Sequence, residues 1–206
     1  AYALSQNHVP NDMKEYKNEY LLVTSYDTDT MNVISLIDED IIKQIQFPTR
    51  PEQIIIDDNM AYVSSPMGEC IYIVNLDNMT LSKQIKINGM CERLVLSDDK
   101  TKMFYFDKKT NEIWAIELDN NYLLKDIGKF PNVSSIAYNN NKIYITSRTK
   151  GHLAIVDYET NGLMAEIPIT QKPVDMLVYE NNLYIFYCFR NGTQRYTKWT
   201  YFSAHP

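Results

Sequence analysis

Glycine is scarce: six in 206 residues, none in a GxGxxG or phosphate-loop pattern, so no nucleotide cradle is expected. Cysteine is limited to Cys70, Cys91 and Cys188, an odd number without CxxC spacing. This indicates neither a disulfide framework nor a zinc site. The histidines, His8, His152 and His205, form no close pair, whereas a metal site needs three or four convergent ligands. No metal or other cofactor is expected. Nowhere does an apolar run approach the ~18 to 20 residues that cross a bilayer, and no charged-then-apolar leader opens the chain. The chain reads as soluble, without a membrane span. Basic residues are also in deficit, 20 Lys and Arg against 26 Asp and Glu, and the net charge of −6 argues against a nucleic-acid partner.

What the sequence does hold is short apolar runs. Hydrophobic residues make up 45%, with 16 tyrosines, and β-branched and Tyr residues crowd into segments such as IYIVNL and KIYITS. Such segments favour strands. The runs repeat. IIKQIQF (41–47), LSKQIKI (81–87), LLKDIGK (123–129) and LMAEIPI (163–169) carry anchors Ile45, Ile85, Ile127 and Ile167 spaced 40, 42 and 40 apart. Nine residues after each anchor stands another apolar residue: Ile54, Leu94, Ile136 and Met176. A third series, YLLVTS, MAYVSS, KMFYFD, KIYITS and NLYIFY, places Leu22, Tyr62, Phe104, Tyr144 and Tyr184 on the same period. The fourth, VISLID, YIVNLD, WAIELD and AIVDYE, ends at Asp38, Asp77, Asp119 and Glu159.

Four short strands per ~40 residues, without helical periodicity between them, predict an all-β fold, a β-propeller of about five four-stranded blades. In the order expected from the sequence, the innermost strand A is of KIYITS type, B of AIVDYE type, C of KQIKI type and the outermost, D, of LVLS type. Residues 1–206 are expected to form one domain. VPNDMKEYKNEY resembles KPVDMLVYENNLY, and Leu4 and Met13 are nine apart. The N-terminus therefore supplies strands C and D and the C-terminus strands A and B, closing the ring in one composite blade. Closure would satisfy otherwise exposed strand edges.

The phrases LVTS (22–25), YVSS (62–65) and YITS (144–147), together with SPxxxxIYIVN and KPVDMLV, resemble the YVTN family of β-propeller repeats. The resemblance spans nearly the whole chain and implies a propeller scaffold and an extracellular or cell-envelope location. It carries no chemistry of its own, although some relatives of the family are lactonase-like enzymes.

Other motifs reduce to bland readings. Ser147 and Lys150 spell SxxK, but the repeat also places Ser25 and Ser65 at the serine position. Asp27 and Asp29 open a calcium-loop pattern that Met31 and Asn32 break. The sequons at Asn78, Asn132 and Asn191 fit the chance yield of an Asn-rich chain.

Charge placement remains. Because strands alternate in direction, AB and CD loops share one face and BC and DA turns the other. The BC/DA turns are acidic: DED (38–40), DD (57–58), DD (98–99) and DYE (157–159). The AB/CD face carries Arg50, Arg93, Lys108, Lys109, Lys129, Arg148, Lys150, Lys172 and Arg190. Directly after strand A, at the expected central mouth, stand Tyr26, Pro66, Lys108, Arg148 and Cys188. Clustered cations at a concave mouth suit an anion. The expected ligand-binding residues are Tyr26, Lys108, Arg148, Arg50, Arg93, Lys172 and Arg190, with no catalytic residue among them. The expected function is a non-catalytic module presenting a basic face to a small anionic ligand or an acidic protein surface. The alternatives are a lactonase- or lyase-like enzyme with its site at the channel mouth, and an oligomerising cell-surface domain of a longer protein.

Overall fold

The computed structural model describes residues 9–149, 151–169, 172–180, 182–191 and 194–203, with backbone alone for 188–191 and 194–203. These residues form nineteen strands and one 3-10 turn, Pro66–Gly68, with no α-helix. The strands form antiparallel sheets of consecutive segments. The first sheet comprises β1 (Pro10–Tyr16), β2 (Tyr20–Ser25), β3 (Thr30–Ser35) and β4 (Ile41–Gln46). The second holds β5 (Ile54–Asp57), β6 (Met60–Ser65), β7 (Cys70–Asn75) and β8 (Thr80–Lys86). The third holds β9 (Cys91–Leu96), β10 (Lys102–Asp107), β11 (Glu112–Glu117) and β12 (Leu123–Lys129). In the fourth are β13 (Val133–Asn139), β14 (Lys142–Ser147), β15 (His152–Asp157) and β16 (Leu163–Pro168). The last sheet has three strands, β17 (Pro173–Tyr179), β18 (Asn182–Asn191) and β19 (Gln194–Ser203).

Two backbone bonds recur in step with the repeat. Leu36, Leu76, Leu118 and Tyr158 donate to Glu19, Asn59, Thr101 and Asn141. Phe47, Ile87, Phe130 and Ile169 donate to Asp29, Glu69, Asn111 and Gly151. The ~40-residue period is thus also a hydrogen-bonding period.

The strand order corrects the one expected from the sequence. The LVLS-type strand lies at one edge, beside the KIYITS type, and the KQIKI type lies at the other, as in β5-β6-β7-β8. Turn length explains it. Two residues join β5 to β6 and β13 to β14, which forces a hairpin, and Asn140 and Asn141 between the latter pair both have positive φ, as a twist-matched tight turn requires. Seven residues separate β4 from β5, enough to leave one sheet and start the next. For the same reason β1, which contains Met13, pairs with β2 in the first sheet and does not join the C-terminal strands. Leu4, the expected partner there, lies outside the described residues.

The chain divides into two compact units, Ala1–Leu94 and Val95–Pro206. In the first, Leu22, Met31, Val33, Ile45 and Phe47 of one sheet pack against Ile54, Ala61, Val63, Tyr72 and Val74 of the next. In the second, Phe104, Ile113 and Ile127 pack against Ile136, Ile143 and Val156, and Tyr144 and Leu153 against Met176, Leu183 and Ile185. The anchors Ile45, Ile85 and Ile127 are buried, while Ile167 is half-buried against the last of these clusters. The outer strands are the most exposed elements, β4 and β8 burying only one residue each.

Candidate functional site

In the first unit the edge strands β1 and β5 lie side by side, and side chains near their starts bind backbone of the following edge strand. Asp12 Oδ2 accepts the N–H of Ile54 at 2.8 Å, while its Oδ1 accepts the N–H of Met13 at 2.9 Å. One repeat later Gln53 does the same with both ends of its amide: Oε1 accepts the Leu94 N–H at 2.7 Å and Nε2 donates to the Leu94 carbonyl at 3.1 Å. Behind them the buried Thr24 hydroxyl donates to the Glu52 carbonyl at 2.6 Å and accepts the Asp12 N–H at 3.1 Å. In the second unit Ser135 Oγ donates to Asp175 Oδ1 at 2.9 Å, which also accepts the Met176 N–H. The position before this apolar residue is polar in every repeat (Asp12, Gln53, Arg93, Ser135, Asp175), and at Asp12, Gln53 and Ser135 it ties one edge strand to the next.

At this end of the first unit opens a cleft of about 290 Å³ lined by Asn11, Asp12, Lys14, Glu52, Gln53, Glu92 and Arg93. Its charged lining comprises three carboxylates and two cations. The volume is at the small end of ligand pockets. At the same strand ends, Tyr26 donates its N–H to the Val9 carbonyl beside the start of β1, and Arg50 stacks on its ring, guanidinium carbon 4.4 Å from the centroid and Nη1 donating to the phenol oxygen at 2.5 Å.

The expected ligand residues are distributed as follows. Tyr26 and Arg50 are in contact. Arg93 lies within β9 and lines the cleft, not in a loop as expected, because β9 starts at Cys91. Lys108 and Arg148 are exposed at the turns after β10 and β14, and Lys172 is exposed immediately before β17. All three belong to the second unit and are not among the residues that line the cleft. Arg190 belongs to β18, paired with Arg195, not to a loop, and its side chain is outside the described residues, as are Lys150 and the side chain of Cys188. Asp12, Lys14, Glu52 and Glu92 were missed. The one signal was Asp12, at the polar position before the apolar residue; the expected strand order put it on an outer rim, where a polar residue needs no explanation.

The acidic turns serve the backbone. Asp99 accepts Ser97 Oγ at 2.6 Å and the Thr101 N–H, which hold its carboxyl down at about 2. Hydrogen bonds from the Thr160 N–H and hydroxyl lower Asp157 in the same way. Between Asp157 and Glu159, Tyr158 is buried, donating to Glu117 Oε1 at 2.8 Å with Lys125 Nζ 4.1 Å from its ring centroid. Burial, reinforced by the Glu117 bond, pushes this phenol up, so it stays a donor. Cys70 is buried beside Thr49, Ser65 and Tyr72, and burial raises its thiol, which makes it inert. Among the described residues no group of three His, Cys, Asp or Glu is placed to hold a metal, and no helix is long and apolar enough to cross a membrane.

No protein-family model matches the chain, and no curated protein matches it. Among solved structures it is similar to a chain of Kuenenia stuttgartiensis hydrazine synthase. That similarity has a TM-score of 0.73 and 12% identity, and covers 99% of this chain and 67% of that one. The neighbour is of propeller type. At such identity the likeness concerns fold alone.

Proposed function

We propose that this chain is a non-catalytic binding module on a five-bladed propeller, taking an anionic group of a small ligand or of an acidic protein surface at the strand-end cleft of its first unit. The observation that carries the reading is the placement of Lys14 and Arg93 inside a concave cleft whose floor is fixed by hydrogen bonds, with the Tyr26–Arg50 pair at the same strand ends. A floor locked by its own backbone bonds holds recognition groups in place before a ligand arrives. The exposed Lys108, Arg148 and Lys172 would give the second unit basic positions of its own.

Five blades are supported by five sheets of one connectivity and by the propeller-type neighbour. The first sheet is where closure would make a difference. Met13 is 56% and Leu36 44% exposed, although the matching Ile54 and Leu76 are buried. In a closed ring the last blade covers both.

Binding is tested by titrating the protein at low salt with small carboxylates and phosphates, followed by ligand-observed NMR. Affinity should fall as salt rises, since exposed charges are then screened. Lys14→Glu with Arg93→Glu should abolish binding, while Lys43→Glu with Lys83→Glu, an equal charge change on the outer strands, should leave it intact. Equal losses in the two double variants would reduce the effect to net charge.

A further inference from the structure

We infer that the second unit stacks end to end on a second copy of this chain, its basic end meeting the acidic end of the copy's second unit. This surface is separate from the cleft and does not rest on the binding reading above.

Charges on the turns sort by end. In antiparallel sheets of consecutive strands, the turns after β10, β12, β14 and β16 lie at one end and those after β9, β11, β13, β15 and β17 at the other. Neighbouring sheets keep their ends level. Ser135 Oγ, early in β13, donates to Asp175 of β17 at one end, and the Asn140 N–H, in the turn after β13, donates to Asp98 Oδ2, in the turn after β9, at 3.3 Å at the other. The first end carries exposed Lys109, Lys129, Arg148 and Lys172, and none of these side chains is paired with a described residue. The other end carries exposed Asp119, Glu159 and Glu180, whose carboxylates accept no hydrogen bond from a described residue, unlike those of Asp99 and Asp157. Strands of six or seven residues set the ends roughly 20 Å apart, beyond the ~8 Å over which exposed charges act at physiological salt, so neither end neutralises the other.

A second copy is the partner whose charges have the matching spacing. Arg148 stands 40 residues after Lys108, with Lys109 beside it, and Glu159 stands 40 after Asp119, so each pair occupies equivalent turns of the same two sheets. The distance between neighbouring sheets therefore spaces the acids as it spaces the cations. A copy stacked in the same orientation, offset by one strand, brings Asp119 and Glu159 over the turns of Lys109 and Arg148 together. Opposed charges in register suppress other arrangements as well as attract. The contact is heterologous and leaves an end of each copy open to a further one, so the assembly grows with concentration.

The test is sedimentation equilibrium of the whole chain at low salt, at concentrations up to about 1 mM because exposed ion pairs give weak contacts. The weight-average mass should rise above 24.1 kDa with concentration and return toward it as salt is raised. Lys109→Glu with Arg148→Glu sets acids opposite the acidic end, and Asp119→Lys with Glu159→Lys sets cations opposite the basic one. Each double variant alone should stay monomeric, while an equimolar mixture of the two should associate, since opposite charges then face each other again. Both variants keep a net negative charge, so attraction between whole molecules does not account for the mixture. All four residues are exposed turn positions, and circular dichroism melts check that the variants fold. The inference is overturned if the unaltered chain stays at 24.1 kDa at every concentration, if either variant alone associates as the unaltered chain does, or if the mixture stays monomeric.

Discussion

Asp99 shows how an acidic residue can be prominent in a sequence without marking a binding surface. Its carboxylate accepts Ser97 Oγ and the Thr101 N–H, with Lys102 Nζ 3.6 Å away. These bonds lower its folded pKa to about 2, below the ordinary 3.8. The group therefore contributes stability that is present above the ordinary carboxylate range and is lost as pH falls toward about 2. Ser97→Ala removes the largest cause, so thermal melts of that variant should depend less steeply on pH between about 4 and 2 than those of the unaltered protein. An identical acid limb would mean that the Ser97 bond does not set the titration. The same logic separates Asp12 from the turn aspartates: it is tied to the next edge strand, 42 residues on, and lines a cleft.

At the scale of strands, the repeat anchors test the register. Ile85→Ala should cost about 2 to 5 kcal/mol, as emptying a closed core site does. Ile167→Ala should cost less, because Ile167 is half-buried. Urea unfolding of the two variants checks the order, and equal losses would place Ile167 deeper than its sheet shows. The strands themselves, their period and the burial of Ile45, Ile85 and Ile127 were legible because alternation and spacing record which side chains leave water. The order of strands within a sheet was not, since apolar periodicity is the same for an inner and an outer strand. The information lay in turn length, two residues before β6 against seven before β5. That one inversion hid the cleft, because it moved Asp12 and Glu52 to the rim and put Lys108 and Arg148 at the expected mouth.

For the whole molecule the central proposal is that the repeat closes into a ring of five blades. Closure predicts a cover over the face of the first sheet that carries Met13 and Leu36. Leu36 makes the same backbone bond as Leu76 and Tyr158, yet those two are 1% and 4% exposed and Leu36 is 44%. Ile37, at 79%, belongs to the turn and serves as the control. The decisive measurement is the unfolding free energy of Leu36→Asp beside Ile37→Asp, by urea denaturation. With the ring closed, Leu36→Asp forces a carboxylate into a blade interface and should cost about 2 kcal/mol or more, while Ile37→Asp should stay within about 0.5 kcal/mol of the unaltered protein. Two variants that both lie within about 0.5 kcal/mol would show that nothing covers this face and that the ring is open.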